Sequence, residues 1–483
     1  MLLSLRFCSF GGVVSALTLA GCQSYTARPL DLDAHAQAVA SRAGELRGVG
    51  ELARRLDAAS GVMPPTEFDP ADGLTLAEGE AVALVYNPQL RVARLKAGVA
   101  LATARTAGLW EDPEFGFDLE HILSGVDNPW VVGATLSITL PISGRLDAEK
   151  TLASTEHRAA IARVTADEWH TRTQLRQAWL EWSAYSLRAA ELRELLARLD
   201  DIGAVAVRLE DAGEMSRPDA SLFRIERATK QNDLLAVETQ AQEAELAVKA
   251  LLGLTPDAPV QLVPQAARSG AMPEREEATR LLRNSPTLGA LEVQHQVAED
   301  SLKHEVRKQY PDLTIGPGAG SDEGDSRVLL GLSLPIPLWN QNKQGVAEAL
   351  AQRDLARAEY ETEYESLTFR LASAELRLRS LTAQRQELEA VVVPMVDAQY
   401  ADVRRLAEAG DFSALLTREA IVRLHDVRLR LIDARLEESL ATVRIEELLG
   451  PVVNRIENQP ASEATTPADA VQQESNSPKG VLP

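Results

Sequence analysis

The sequence predicts a mainly α-helical fold with a small β part, and three observations carry that reading. Of the 483 residues, 45% are apolar but only 4% aromatic, a balance that suits long Ala- and Leu-rich helices better than a bulky globular core. Residues 146–211 run without a proline, well past the usual length of roughly three to four turns for a globular helix. The chain is also written twice, with landmarks in its second half repeating those of the first at an offset near 197 residues, as a duplicated structural unit does.

At the N-terminus, Arg6, an apolar run over residues 7–19 and the tetrapeptide Leu19-Ala20-Gly21-Cys22 read as a processing segment. The tetrapeptide resembles a bacterial lipobox, which makes residues 1–21 a signal peptide and Cys22 the acylated first residue of a membrane-tethered chain. Cys8 falls in the removed part, so Cys22 is then the one cysteine left, and neither a disulfide framework nor a cysteine metal site can be built. Residues 22–73 form a lipidated N-terminal extension with a helical pattern over residues 34–59. No further stretch approaches the roughly 18 uninterrupted apolar residues of a membrane helix, so any other bilayer contact falls to strands closed into a barrel. A net charge of −21 gives a nucleic-acid groove no electrostatic support, and no nucleic-acid partner is expected.

The landmarks pair Pro88 with Pro286 and Pro113 with Pro311 at 198, Pro141 with Pro335 at 194, and Gly213 with Gly410 and Gly253 with Gly450 at 197. Each unit, residues 74–253 and 274–450, reads helix, two strands, one very long helix, a tight turn and a shorter helix. In the first long helix Leu175, Ala178, Trp182, Tyr185, Ala189, Leu192, Leu196 and Leu199 step by 3 and 4 in turn, the seam of a heptad repeat. In the second, Leu371, Ala374, Leu378, Leu381, Leu388, Val392 and Met395 extend that frame, broken only at Arg385. At a rise of 1.5 Å per residue the helix over residues 146–211 is about 100 Å long, and the shorter ones over residues 76–109 and 217–252 are each about half that. Only a cylinder of long and paired helices uses such lengths economically. The Pro- and Ala-rich stretch 254–273 reads as an equatorial linker, and residues 451–483 as a disordered tail.

Between the helices, Phe115, Phe117 and Leu119 alternate with Gly116, Asp118 and Glu120, and Ala134, Leu136, Ile138 and Leu140 alternate with Thr135, Ser137 and Thr139. Leu313 and Ile315, then Leu330, Leu332, Leu334 and Ile336, repeat the pattern around an acidic loop holding Asp322, Glu323 and Asp325. One apolar and one wet face suit a half-buried sheet and equally a membrane barrel with water inside. Four strands cannot close a barrel, and open edges are not tolerated in lipid. With a lipid-anchored chain and helices too long to cover so small a sheet, subunits are expected to pool their strands.

With the duplication, the lipobox, the paired hairpins and the turns Gly213-Glu214-Met215-Ser216 and Gly410-Asp411-Phe412-Ser413 in hand, residues 74–450 resemble the TolC family of outer-membrane efflux proteins. The run Leu334-Pro335-Ile336-Pro337-Leu338-Trp339-Asn340-Gln341-Asn342-Lys343 is similar to the strand-to-helix junction of its CzcC-like, heavy-metal-exporting branch. It departs in one respect: Gln344 stands before Gly345, where the family often has Gly directly after the Asn-rich stretch. The resemblance implies a homotrimer whose pooled strands form a transmembrane β-barrel in outer-membrane lipid, continued by an α-helical barrel through the periplasm. It implies two partners, a periplasmic adaptor (membrane fusion protein) and an inner-membrane transporter of the resistance-nodulation-division type, with passive conduction of heavy-metal cations to the exterior. It further implies that the tips, Gly213, Glu214, Ser216, Gly410, Asp411 and Ser413, touch the adaptor, and that Asp219 and Glu419 are acids of a periplasmic gate.

The turns also have a purely local reading. Gly takes the left-handed conformation that ends a long helix, Ser216 and Ser413 cap the next one, and Pro218 sits in a first turn where its missing N–H costs nothing. Ser216 and Asp219 read as a capping box with Asp in place of Glu. The seven histidines, His35, His121, His157, His170, His295, His304 and His425, show no i, i+4 pairing, so each is expected to be solvated or packed, with no metal site and no cofactor. No nucleophile–base pair or phosphate loop emerges, and an enzyme is not expected. The alternative is a lipid-anchored periplasmic coiled-coil adaptor or scaffold, which shares the long hairpins. An adaptor typically has one hairpin between lipoyl-like and barrel strands, not two copies of helix, strand pair, helix.

Overall fold

The computed structural model describes residues 25–49, 72–121, 123, 130–265, 282–322 and 325–451. Cys22 with its signal peptide, residues 50–71 of the extension, residues 266–273 of the linker and the tail beyond residue 451 lie outside them. The chain divides into two units, residues 1–42 and 43–483. In the first, an extended stretch from Tyr25 enters helix α1 (Leu32–Glu45), whose first turn is capped by Asp31 Oδ1 accepting from Ala34 N at 2.9 Å.

The second unit runs α2 (Leu76–Tyr86), α3 (Pro88–Thr106), β1 (Glu114–His121), β2 (Trp130–Leu140), α4 (Arg145–Asp211), α5 (Arg217–Leu252), α6 (Pro286–Arg307), β3 (Leu313–Asp322), β4 (Asp325–Ser333), α7 (Lys343–Glu387), a π turn (Leu388–Val392), α8 (Val393–Glu408) and α9 (Ala414–Leu449). The duplication is visible in lengths: α5 and α9 have 36 residues each, while the 67 residues of α4 are answered by 45, 5 and 16 in α7, the π turn and α8. Two expectations are corrected. The helix over residues 76–109 is two helices, because Pro88 has no N–H to continue α2 and Asn87 Oδ1 restarts the chain by accepting from Gln89 N (2.9 Å) and Leu90 N (3.1 Å). Strand β4 stops at Ser333, short of Leu334 and Ile336, where Pro335 and Pro337 cannot donate to a ladder.

Helix α4 is the spine, packing on α2, α3, α5, α6 and α9. At its middle Leu175, Trp179 and Trp182 lie in a core with Leu46, Val49, Leu74, Val82, Val248 and Leu252. A strap closes this core: Leu74 N donates to Gln261 O (2.7 Å), Val263 N to Leu74 O (2.9 Å), and the Trp179 indole N–H to Val263 O (3.0 Å). Satisfying a buried indole donor in this way is what lets so large a ring sit at the centre. The matching core of the second half holds Leu282, Leu288, Leu367, Leu371, Leu378, Ile445 and Leu448. Arg176 ties three helices by reaching Glu80 of α2 (2.5 Å) and Glu446 of α9 (2.7 Å).

The heptad seam of α4 is buried as expected at Leu175, Trp182, Ala189, Leu192, Leu196 and Leu199. In the second half it holds at Leu371 and Leu378 but not to the end, for Met395 is 67% exposed and Val396 only 8%. The π turn adds a residue to the helical path and moves every later side chain round by one position.

Candidate functional site

The strands form one antiparallel sheet in the order β1-β2-β3-β4. Registers such as Phe117↔Ala134, Ala134↔Ala319 and Ala319↔Val328 put Phe115, Phe117, Leu119, Val132, Leu136, Ile138, Ile315, Val328, Leu330 and Leu332 on one face. That face is open: Phe115 is 72% and Val328 91% exposed. The other face carries Glu114, Asp118, Glu120, Thr135, Ser137, Thr139, Asp322 and Arg327, with Val131 and Leu329, among six glycines, Gly116, Gly133, Gly316, Gly318, Gly320 and Gly331. A Cβ on Gly318 would stand 2.7 Å from Thr135 Cγ2, so the polar face lies close to bare backbone. Among the described residues β1 and β4 each pair on one side only.

Exposed aromatic side chains flank the apolar face at both ends. Trp110 precedes β1, Tyr310 precedes β3 and Trp339 follows β4, all more than half exposed. At the opposite end Trp130 stacks on His121 with ring centroids 4.3 Å apart. Strands of 8 to 11 residues between aromatic borders have the dimensions of a bilayer-crossing band. Below the sheet, Asp312 accepts from Ser143 N (3.1 Å) and Arg145 Nη2 (3.3 Å). In the second half Asn342, left-handed at φ 49, donates through Nδ2 to Glu305 Oε2 at 2.7 Å. A Cβ on Gly345 would run into that Glu305 carboxylate, which gives this glycine a local packing reason.

At the far end of the long helices both turns are Schellman caps. Gly213 (φ 78) donates to Glu210 O and Glu214 N to Leu209 O; Gly410 (φ 92) donates to Ala407 O and Asp411 N to Leu406 O. Ser216 Oγ then accepts from Asp219 N (3.3 Å) and donates to Asp219 Oδ2 (2.6 Å), while Ser413 Oγ accepts from Leu416 N (3.5 Å). Gly213, Glu214, Ser216, Gly410, Asp411 and Ser413 are all exposed. Met215 and Phe412 instead turn inward onto a shared cluster of Leu199, Ala206, Ala220, Phe223, Ala414 and Ile421, which binds the two hairpins together.

The structure does not join Asp219 and Glu419 into one site. Asp219 closes its own cap, whereas Glu419 pairs with Arg423 (2.7 Å) and Arg418 (3.6 Å), and Arg418 crosses to Glu226 of α5 (3.5 Å). Sequence reading missed the rest of this ladder between hairpins: Lys230–Asp426 (3.7 Å), Arg188–Asp433 (3.4 Å), and fully buried His425, with Nδ1 2.5 Å from Glu191 Oε1. Burial pushes the Glu191 carboxyl up, but His425 and Arg428 beside it hold it below the usual carboxylate range. A signal for the ladder was present, since Arg418 and His425 interrupt the apolar face of α9 beside Ile421 and Leu424. Among the described residues no group of His, Cys, Asp or Glu suits a metal ion, and no helix is long and apolar enough to cross a membrane.

A sheet with one apolar and one polar face, carried on paired helical hairpins that end in exposed turns, defines a channel protomer. Residues 81–254 and 278–451 each match the family described as outer membrane efflux protein, and the chain belongs to that family. It is thus an outer-membrane efflux channel of the TolC type and not an enzyme. It is 27% identical over 326 residues to the cobalt-zinc-cadmium resistance protein CzcC of Cupriavidus metallidurans, covering 66% of this chain and 76% of that one. The fold is shared with solved structures, two of which serve as examples. CusC, whose structures follow folding and transmembrane channel formation, superposes with a TM-score of 0.66 at 18% identity over 78% of this chain and 92% of its own. The outer membrane protein VceC of Vibrio cholerae gives 0.64 at 17% identity over 78% and 96%.

Proposed function

We propose that three copies of this chain pool their sheets into one barrel in the outer membrane and passively conduct heavy-metal cations, delivered by an inner-membrane transporter of the resistance-nodulation-division type through a periplasmic adaptor. One observation carries the reading: a four-stranded sheet with an open apolar face, a glycine-paved polar face and two edges unpaired among the described residues. In lipid such edges must be paired by neighbours, and the polar face then lines water. Acids on β1, Glu114, Asp118 and Glu120, favour cations along that lining, and the likeness to a cobalt-zinc-cadmium resistance protein supports metal as cargo.

In the same reading Cys22 is the lipidated anchor, and residues 74–253 and 274–450 are the two repeats around the linker at 254–273. The exposed turns at Gly213, Glu214, Ser216, Gly410, Asp411 and Ser413 are adaptor contacts. Asp219 and Glu419 flank the entrance as gate acids, a role that the ion-pair ladder through Arg418 supports for Glu419. Purified protein in planar bilayers is expected to pass current with a preference for cations, and a deletion strain to become metal-sensitive only when its partner transporter is present. A bilayer that stays silent sinks the channel; unchanged metal tolerance sinks the cargo.

A further inference from the structure

Between its matched seam positions the second long helix carries one residue more than the first, and the buried residues show where. Thr171, Leu175 and Trp182 of α4 match Leu367, Leu371 and Leu378 of α7 at an offset of 196. Further along, Leu199 and Ala206 match Val396 and Val403 of α8 at 197, as do Gly213 and Gly410. The extra residue is taken up in the π turn Leu388–Val392, where Val393 N donates to Leu388 O, five residues back, where a regular α-helix reaches back four. Pro394 follows and has no N–H, so the Ala390 carbonyl loses its helical donor as well. Helix α4 passes the equivalent stretch, residues 191–197, as unbroken α-helix.

Charged side chains from two helices converge on this weak point. Glu389 Oε1 accepts from Arg435 of α9 at 2.7 and 2.9 Å, and Glu389 Oε2 from Arg385 Nη1 at 2.5 Å. Arg385 also reaches Glu438, which is 3% exposed and accepts from Thr382 Oγ1 at 2.8 Å. A buried carboxylate needs such partners, and losing one is costly, so the clasp fastens α7 to α9 at the level where the backbone ladder is interrupted. Single insertions held as π turns, and prolines, are where long helices bend.

We propose that Leu388–Pro394 is a pivot on which α8 and the Gly410 turn swing relative to α7, the clasp of Arg385, Glu389, Arg435 and Glu438 setting the balance between the two poses. The channel reading enters only through the consequence, a change in the width of the opening at the turns. Hydrogen exchange on the full chain in detergent tests the pivot directly: amides of residues 388–393 are expected to exchange about tenfold faster than those of residues 191–196. Deleting Val391 removes the inserted residue while keeping α7 and α8 in the register of α4; it is expected to equalise the two rates and lower mean bilayer conductance about threefold, and Glu389→Gln to raise it by a similar factor. Equal protection of the two stretches in the wild type overturns the pivot. So does unchanged conductance in both variants when their melting matches the wild type. If the wild type passes no current, the channel reading fails and the exchange comparison alone decides the pivot.

Discussion

Glycine inside a helix costs about 0.5–1 kcal/mol against alanine, so each one that stands there must be judged by what its missing Cβ makes room for. A Cβ on Gly79 of α2 would lie 2.8 Å from Cζ3 of Trp179, a ring with no exposure whose N–H is already fixed to Val263 O. Gly98 of α3 meets nothing within 4 Å. Gly98→Ala is therefore expected to raise stability by about 0.5–1 kcal/mol, and Gly79→Ala to lower it by about 1–3 kcal/mol through overpacking. Denaturant melts of the two variants read the difference, and equal gains would remove close approach as the reason for Gly79. At this scale the turn glycines were legible beforehand, because a left-handed C-cap and the serine after it are local and leave their mark in four consecutive residues. The Trp179 contact was not, since its partners Gly79 and Val263 lie far off in the chain.

Between elements, α4 and α9 are joined by His170 and Glu447, with Nδ1 and Oε1 3.4 Å apart. The bond to Glu447 lifts the His170 ring above its ordinary 6.5, and the same bond holds Glu447 below its ordinary 4.5. A raised histidine pKa gives stability that is full below 6.5 and lost as pH rises through the folded value; a depressed carboxylate gives stability present above 4.5 and lost on acidification. The pair thus contributes most between those limits, and His170→Gln is expected to flatten the fall in melting temperature from pH 6 to about 8. A slope as steep as that of the wild type would assign it to other groups.

Heptad counting placed Met395 inside because periodicity assumes an unbroken helix, and nothing periodic announces a single inserted residue; the one visible trace was Arg385 standing in a seam position. With Val396 buried and Met395 exposed, Val396→Gln is expected to cost about 1–3 kcal/mol and Met395→Gln under about 0.5 kcal/mol, both read from denaturant midpoints. Comparable costs would mean the frame does not shift. The strands were legible where alternation over Phe115–Leu119 and Ala134–Leu140 has no competing helical period, but the Gly-rich stretch read as an acidic loop belongs to β3, which runs to Asp322, and to β4, which starts at Asp325 and stops before Pro335.

For the whole molecule the sheet's two edges make the demand that no single chain can meet. Within one protomer β1 and β4 are separated by β2 and β3, which at the spacing of neighbouring strands puts them about 14 Å apart, twice the roughly 7 Å that a disulfide can span between Cα atoms. A cysteine on β1 and another on β4 can therefore bridge only between copies. Phe117→Cys combined in turn with Val328→Cys, Leu330→Cys or Leu332→Cys keeps both thiols on the apolar face, and steps of two residues scan the unknown register without leaving it. One of the three pairs is expected to give covalent dimers and trimers on a non-reducing gel after mild oxidation in membranes, with none larger, because a closed ring of three leaves no free edge. Ladders that continue past three would mean an open filament or a wider ring. No bridge from any pair would mean that the edges are covered by something other than a second copy of the same sheet.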